Sequence, residues 1–302
     1  MKIKCNIVIA FFVTLLFCSC GEGVIDLGSE VYIPKIVVEG YLQPHSKVSD
    51  IIIGRNFPIN GAILLDYFIA DAKAKITDLE TEKYYQLSYN RFSRSYEYTG
   101  NDLIIGYNKS YELEVEANID GKTLFTKSVT TTPQEGFRVN RDLSVLGDMK
   151  YNQKDEFGKT QYFNLVFDPS PGTDLYVLST NALEVSLSNY IYDNIYSGFG
   201  DSIRLTYRSV ANFKEQSTYQ LNINSHTFGH NFRIGWDKFW FYSNFEIILL
   251  ACDKNFKEYF LTIDRLMEVD GNYHEPLLNF EGDGLGVFGS YIADTLYCRV
   301  IK

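Results

Sequence analysis

Cationic residues are scarce in this chain: 28 Lys and Arg stand against 38 Asp and Glu, a net charge of −10 over 302 residues. Phosphate backbones are gripped by clustered Lys and Arg, so this balance argues against nucleic acid as a partner. It also argues against electrostatic docking on anionic lipid. Histidine is scarcer still, with four copies, which leaves few general-base candidates. His226 and His230 are four apart, but Thr227 stands where a zinc protease needs Glu. Gly229 and the surrounding Asn residues make that stretch read as loop. No Gly-x-Ser-x-Gly occurs, so the nucleophile elbow is missing. Asp283 sits between glycines, but no spaced series of Asp or Asn ligands surrounds it as in a calcium loop. No metal or cofactor is expected. Nor is there an apolar run of the roughly 20 residues that a spanning helix needs.

What is present begins at the front. Lys2 and Lys4 precede an apolar core of about eleven residues, Ile7 to Phe17, and then Phe17-Cys18-Ser19-Cys20 and Gly21. Charge, short apolar run, small residue and cysteine make a bacterial lipoprotein signal. Ser19 fits the small position before the acceptor, whereas Phe17 does not fit the one before Cys18. Cleavage before Cys20, lipidation of Cys20 and attachment to a membrane outside the cytoplasm are expected, because two or three acyl chains anchor stably where one does not. The alternative is a secreted protein cut near Ser19. Loss of Lys2 and Lys4 leaves 26 basic residues against 38 acidic, a charge of −12. Cys5 and Cys18 leave with the signal, so only Cys252 and Cys298 remain in the folded part. An oxidising compartment permits a disulfide between them; the alternative is two buried thiols.

The mature chain, about 283 residues, is rich in Tyr (23) and Phe (22), a strand-forming composition. Residues 20–30 read as a flexible tether. Residues 31–133 read as strands only. Pro34 interrupts the first apolar run and marks a first or edge strand. Tyr111, Leu113, Val115 and Ala117 alternate with Glu112, Glu114 and Glu116, and Asp120-Gly121 follows. That is a half-buried strand leading into a two-residue hairpin turn. An immunoglobulin-like or transthyretin-like sandwich fits the spacing. A boundary falls near Pro133, and residues 134–302 read as a second β-rich domain. Asn140 to Lys159 is polar and reads as a surface excursion. The stripe Phe256, Tyr259, Phe260, Ile263, Leu266 and Met267 predicts one helix over 253–269, capped by Asp253 or Asn255 and closed near Gly271.

The tail holds Glu275-Pro276-Leu277-Leu278 and then Gly282-Asp283-Gly284-Leu285-Gly286-Val287-Phe288-Gly289. Together with Ile36-Val37-Val38-Glu39-Gly40 and Gly106-Tyr107 before Tyr111-Glu112-Leu113, it resembles the DUF4249 family, lipoproteins of Bacteroidetes without an assigned function. Asp283 replaces that family's usual Asn, and Phe280 departs from its pattern. The resemblance implies an outer-membrane lipoprotein, periplasmic or surface-facing, whose partner is a TonB-dependent receptor barrel. The glycines themselves read as a tight return between the helix and a last strand over 295–301. They do not read as a phosphate cradle, because they follow a helix instead of opening one.

Two aromatic clusters complete the inventory. Trp236 and Trp240 in one, and Tyr190, Tyr192 and Tyr196 in the other, could offer stacking platforms for sugar or peptide; the favoured reading is that they fill a β core and pair across strands. The function expected is a non-enzymatic accessory or ligand-binding lipoprotein. The alternatives are an envelope hydrolase whose carboxylates meet only in the fold, or a structural surface tether.

Overall fold

In the computed structural model, residues 32–58, 67–192, 210–221, 230–263 and 276–302 are described. The signal, Cys20, the tether, Tyr196, His226 and Gly271 lie outside them. The strands follow the alternation of the sequence. The first eight are Ile36–Leu42 (β1), Ile52–Arg55 (β2), Lys73–Asp78 (β3), Lys83–Gln86 (β4), Ser88–Asn90 (β5), Ser95–Glu97 (β6), Ser110–Ile119 (β7) and Lys122–Thr131 (β8). Then come Arg138–Val145 (β9), Gly147–Lys150 (β10), Phe163–Asp168 (β11), Leu175–Ala182 (β12), Glu215–Leu221 (β13), His230–Ile234 (β14) and Asn244–Cys252 (β15). Helix Lys254–Ile263 (α1) is followed by Glu281–Gly282 (β16) and Gly284–Ile301 (β17). The fold is mainly β.

One long sheet, ordered β13-β12-β15-β17-β1-β2 with β10 added beside β17, backs two smaller sheets. A five-stranded sheet, β16-β8-β7-β3-β4, faces its β1 end, and a three-stranded sheet, β14-β11-β9, faces its β15 end. The first sandwich closes over Ile36, Val38 and Ile53 from the long sheet and Ala74, Ile76, Leu113 and Val115 from the short one. The second closes over Tyr176, Leu178, Ile247, Leu249 and Leu296 against Phe163, Leu165, Phe167 and Phe232. β17 serves both. Phe288, near its start, is buried in the first core, while Ile292, Leu296, Cys298 and Val300 are buried in the second. Apolar burial of this kind contributes about 25 cal/mol per Å² and is the main stabilising term.

The expected hairpin is present. β7 and β8 pair antiparallel from Ser110↔Thr131 to Ile119↔Lys122, and Asp120 and Gly121 turn with φ +54° and +77°. Two positive φ values make the turn whose twist matches the strands.

Of the local readings, the first strand stands and two are corrected. β1 is the first described strand and an interior one, paired in parallel with β17 and antiparallel with β2. Pro34 precedes the ladder and removes no bond from it. The polar stretch from Asn140 to Lys159 is not simply a surface excursion, because it holds most of β9 and all of β10, each paired on one side. The glycine-rich tail is not a return before a short last strand; Gly284 opens an 18-residue strand. Its glycines let backbone approach backbone. At Gly286, φ is +106° and a Cβ would collide with the Val38 carbonyl oxygen.

Candidate functional site

Three of the four described stacking candidates are core residues. Trp236, Trp240 and Tyr190 are 4%, 5% and 3% exposed, whereas Tyr192 is exposed. Trp236 donates its Nε1–H to the Gln161 carbonyl (2.8 Å) and packs on Phe163 and Phe239. Trp240 stacks on Phe213, ring centroids 4.3 Å apart, and Tyr190 lies against it. Apolar area drives these rings inward, and the aromatic content of the sequence does not reveal which way a ring faces. They form a core, not a platform.

The two cysteines are buried and unbonded. Cys252 is opposite Tyr291 at one end of the β15–β17 ladder, and Cys298 is opposite Phe245, one pair short of the other end. Seven residue steps at about 3.4 Å each separate them along the sheet, far beyond disulfide reach. Burial pushes the Cys298 thiol up to about 12, and burial followed by the Asp253 charge raises Cys252. Neither offers a thiolate at neutral pH.

The most developed polar site lies where the two sandwiches meet. β15 ends at Cys252, and Asp253 turns the chain into α1. Asp253 Oδ1 accepts the Phe256 N–H (2.9 Å), an N-cap that satisfies one orphan donor of the helix. Its Oδ2 accepts from Thr130 Oγ1 of β8 (2.5 Å), which is also 3.1 Å from Ser290 Oγ of β17. Asp253, Thr130 and Ser290 are all buried. Asn255 is not the cap. Its amide donates to the Val129 carbonyl (2.7 Å) and the Phe288 carbonyl (2.9 Å), tying the five-stranded sheet to the long one. The helix expected over 253–269 is described as Lys254–Ile263, and its later part lies outside the described residues. Phe256 and Phe260 cover Leu175, Val177 and Cys252, as the apolar stripe requires.

Beside this junction opens a cleft of about 440 Å³, lined by Thr132, Gln134, Thr173, Asp174, Asp253 and Lys257 among others. Lys257 pairs with Asp174 at 2.5 Å. Burial raises the Asp253 carboxyl above the ordinary range, against hydrogen bonds from Thr130 and the helix amides that pull it down. The three acids of the cleft are engaged: Asp253 caps a helix, Asp174 holds Lys257, and Glu258 pairs with Lys254 (3.5 Å) and accepts from the Asn279 amide (3.1 Å). Among the described residues no group of three His, Cys, Asp or Glu could hold a metal ion. His230 opens β14, with its ring 5.5 Å from Phe167. Sequence reasoning found Asp253 as a cap but not its buried partners, because Thr130 and Ser290 come from distant strands.

No curated protein matches the chain. The family model described as a domain of unknown function, DUF4249, matches residues 24–295. That span takes in every described strand except the end of β17, and the chain belongs to the DUF4249 family.

Proposed function

We propose that this protein is a lipid-anchored, non-enzymatic binding module of the outer membrane, an accessory to a TonB-dependent receptor barrel. The observation that carries the non-enzymatic reading is the state of the cleft acids. General acid–base hydrolysis needs two carboxylates free to exchange protons with substrate. Here Asp253 is bound to the α1 amides and Thr130, Asp174 to Lys257, and Glu258 to Lys254 and the Asn279 amide. The lipid anchor rests on the Ser19-Cys20 signal, and the barrel rests on the family resemblance.

The test is crosslinked affinity purification of the full chain from native outer membranes, read by mass spectrometry. One TonB-dependent barrel recovered at near-equal amount supports the reading. Recovery of the protein alone sinks the accessory role and redirects effort to hydrolase screens on glycans and peptides.

A further inference from the structure

The outer face of the long sheet, opposite the first sandwich core, carries a carboxylate, that of Glu39. β1 alternates core-facing Ile36, Val38 and Leu42 with outward Val37, Glu39 and Tyr41. Glu39 is exposed and lies in register between Ile52 of β2 and Val287 of β17, both apolar. No lysine or arginine among the described residues pairs with it. The strand glutamates of β7 differ: Glu112, Glu114 and Glu116 each face a lysine, at 3.6, 2.6 and 2.8 Å.

Tyrosines flank Glu39 on this face. On the β2 side, Tyr67 covers Gly54, where a Cβ would meet its ring at 2.6 Å. On the other side, Tyr41 packs on Phe256 and Tyr291, with ring centroids at 5.2 and 6.1 Å. Tyr259 follows Phe256 by three residues on α1, one turn along from the ring that meets Tyr41. Burial first, and the Glu39 charge next, raise the Tyr41, Tyr67 and Tyr259 hydroxyls. Ring faces attract cations, and a carboxylate beside them adds a charge-assisted hydrogen bond.

We propose that this face binds a small organic cation, an ammonium or guanidinium group seated between the tyrosine rings and Glu39. The site rests on the reading of the chain as a binding module. The two fail separately, because the purification tests the barrel and a titration tests the face.

The experiment titrates the full chain in detergent with tetramethylammonium chloride and, separately, with arginine hydrochloride, each against sodium chloride at matched ionic strength. Calorimetry and tyrosine fluorescence are the readouts. Saturable binding of at least one organic cation, absent with sodium, is expected. Glu39→Gln and Tyr259→Ala should each weaken it roughly tenfold, the scale of a cation–π contact or a charge-assisted hydrogen bond. Phe157→Ala, at an exposed ring elsewhere, should leave it unchanged. Glu39 is exposed, so its replacement should leave the far-ultraviolet circular dichroism intact. No saturation at millimolar concentration, or equal binding by Glu39→Gln, overturns the proposal.

Discussion

Gly286 stands opposite Val38 in the parallel ladder of β1 and β17, so close that any side chain at 286 would run into the Val38 carbonyl oxygen. Its φ of +106° is also one that L-residues rarely adopt. Gly286→Ala should therefore cost about 3 kcal/mol, strain and clash together. Gly158 is the control: its φ is +79° but nothing lies within 4 Å of an added Cβ. Gly158→Ala should cost only the left-handed penalty, roughly 1–2 kcal/mol. Urea unfolding of both variants checks this, and equal losses would show that the β1–β17 approach is looser than described.

The raised carboxyl of Asp253 predicts a pH dependence of stability. A carboxyl whose folded pKa lies above its unfolded value, about 4, binds more protons when folded. Its contribution is fully present below about pH 4 and is lost as pH rises through the folded value. Asp253→Asn keeps a capping side chain but does not titrate. Stability of wild type relative to this variant should fall as pH climbs through that interval. Asp253→Ala, which loses the cap as well, should cost about 1–2 kcal/mol relative to Asp253→Asn. Denaturant titrations between acid and neutral pH provide the comparison, and a flat difference between wild type and Asp253→Asn would refute the raised pKa.

The two tryptophans are equally buried but differ at nitrogen. Trp236 Nε1 donates to the Gln161 carbonyl, whereas Trp240 Nε1 is buried and has no hydrogen-bond partner among the described residues. Substitution by Phe opens a similar void at each site. Trp236→Phe also breaks a buried hydrogen bond, so it should cost about 1 kcal/mol more than Trp240→Phe. Calorimetric melting of the pair measures the difference, and the reverse order would contradict the assignment.

Anchoring is tested at the acceptor itself. Radiolabelled palmitate should enter the wild-type chain and not Cys20→Ser, and the variant should leave the membrane fraction on washing. Retention of label by Cys20→Ser would place the acylation elsewhere or remove it from the account.

The elements legible in the sequence are those whose cause is local. Asp120-Gly121 announces its own turn, the alternation of Tyr111 to Ala117 announces a half-buried strand, and Asp253 with the Phe256–Phe260 stripe announces a capped amphipathic helix. What escaped depends on partners far along the chain. The glycines from 282 to 289 look like a loop until Val38 is placed beside Gly286. Trp236 and Trp240 can be read as a platform or a core until Phe163 of β11 is laid on the first and Phe213 and Tyr190 on the second. Glu39 carries no motif; its setting is assembled from β1, α1 and the segment before β3.

β17 completes both cores and takes β1 as its parallel neighbour, so the earliest strand of the chain waits for the latest. Contacts of such sequence separation slow folding. Under the export proposed above, this delay has a use: neither sandwich can close while the last strand is still behind the membrane. The same arrangement makes the C-terminus indispensable to residues at the opposite end of the sequence, and a chain cut short before Gly284 would leave two open hydrophobic interiors where one missing strand might suggest a single defect.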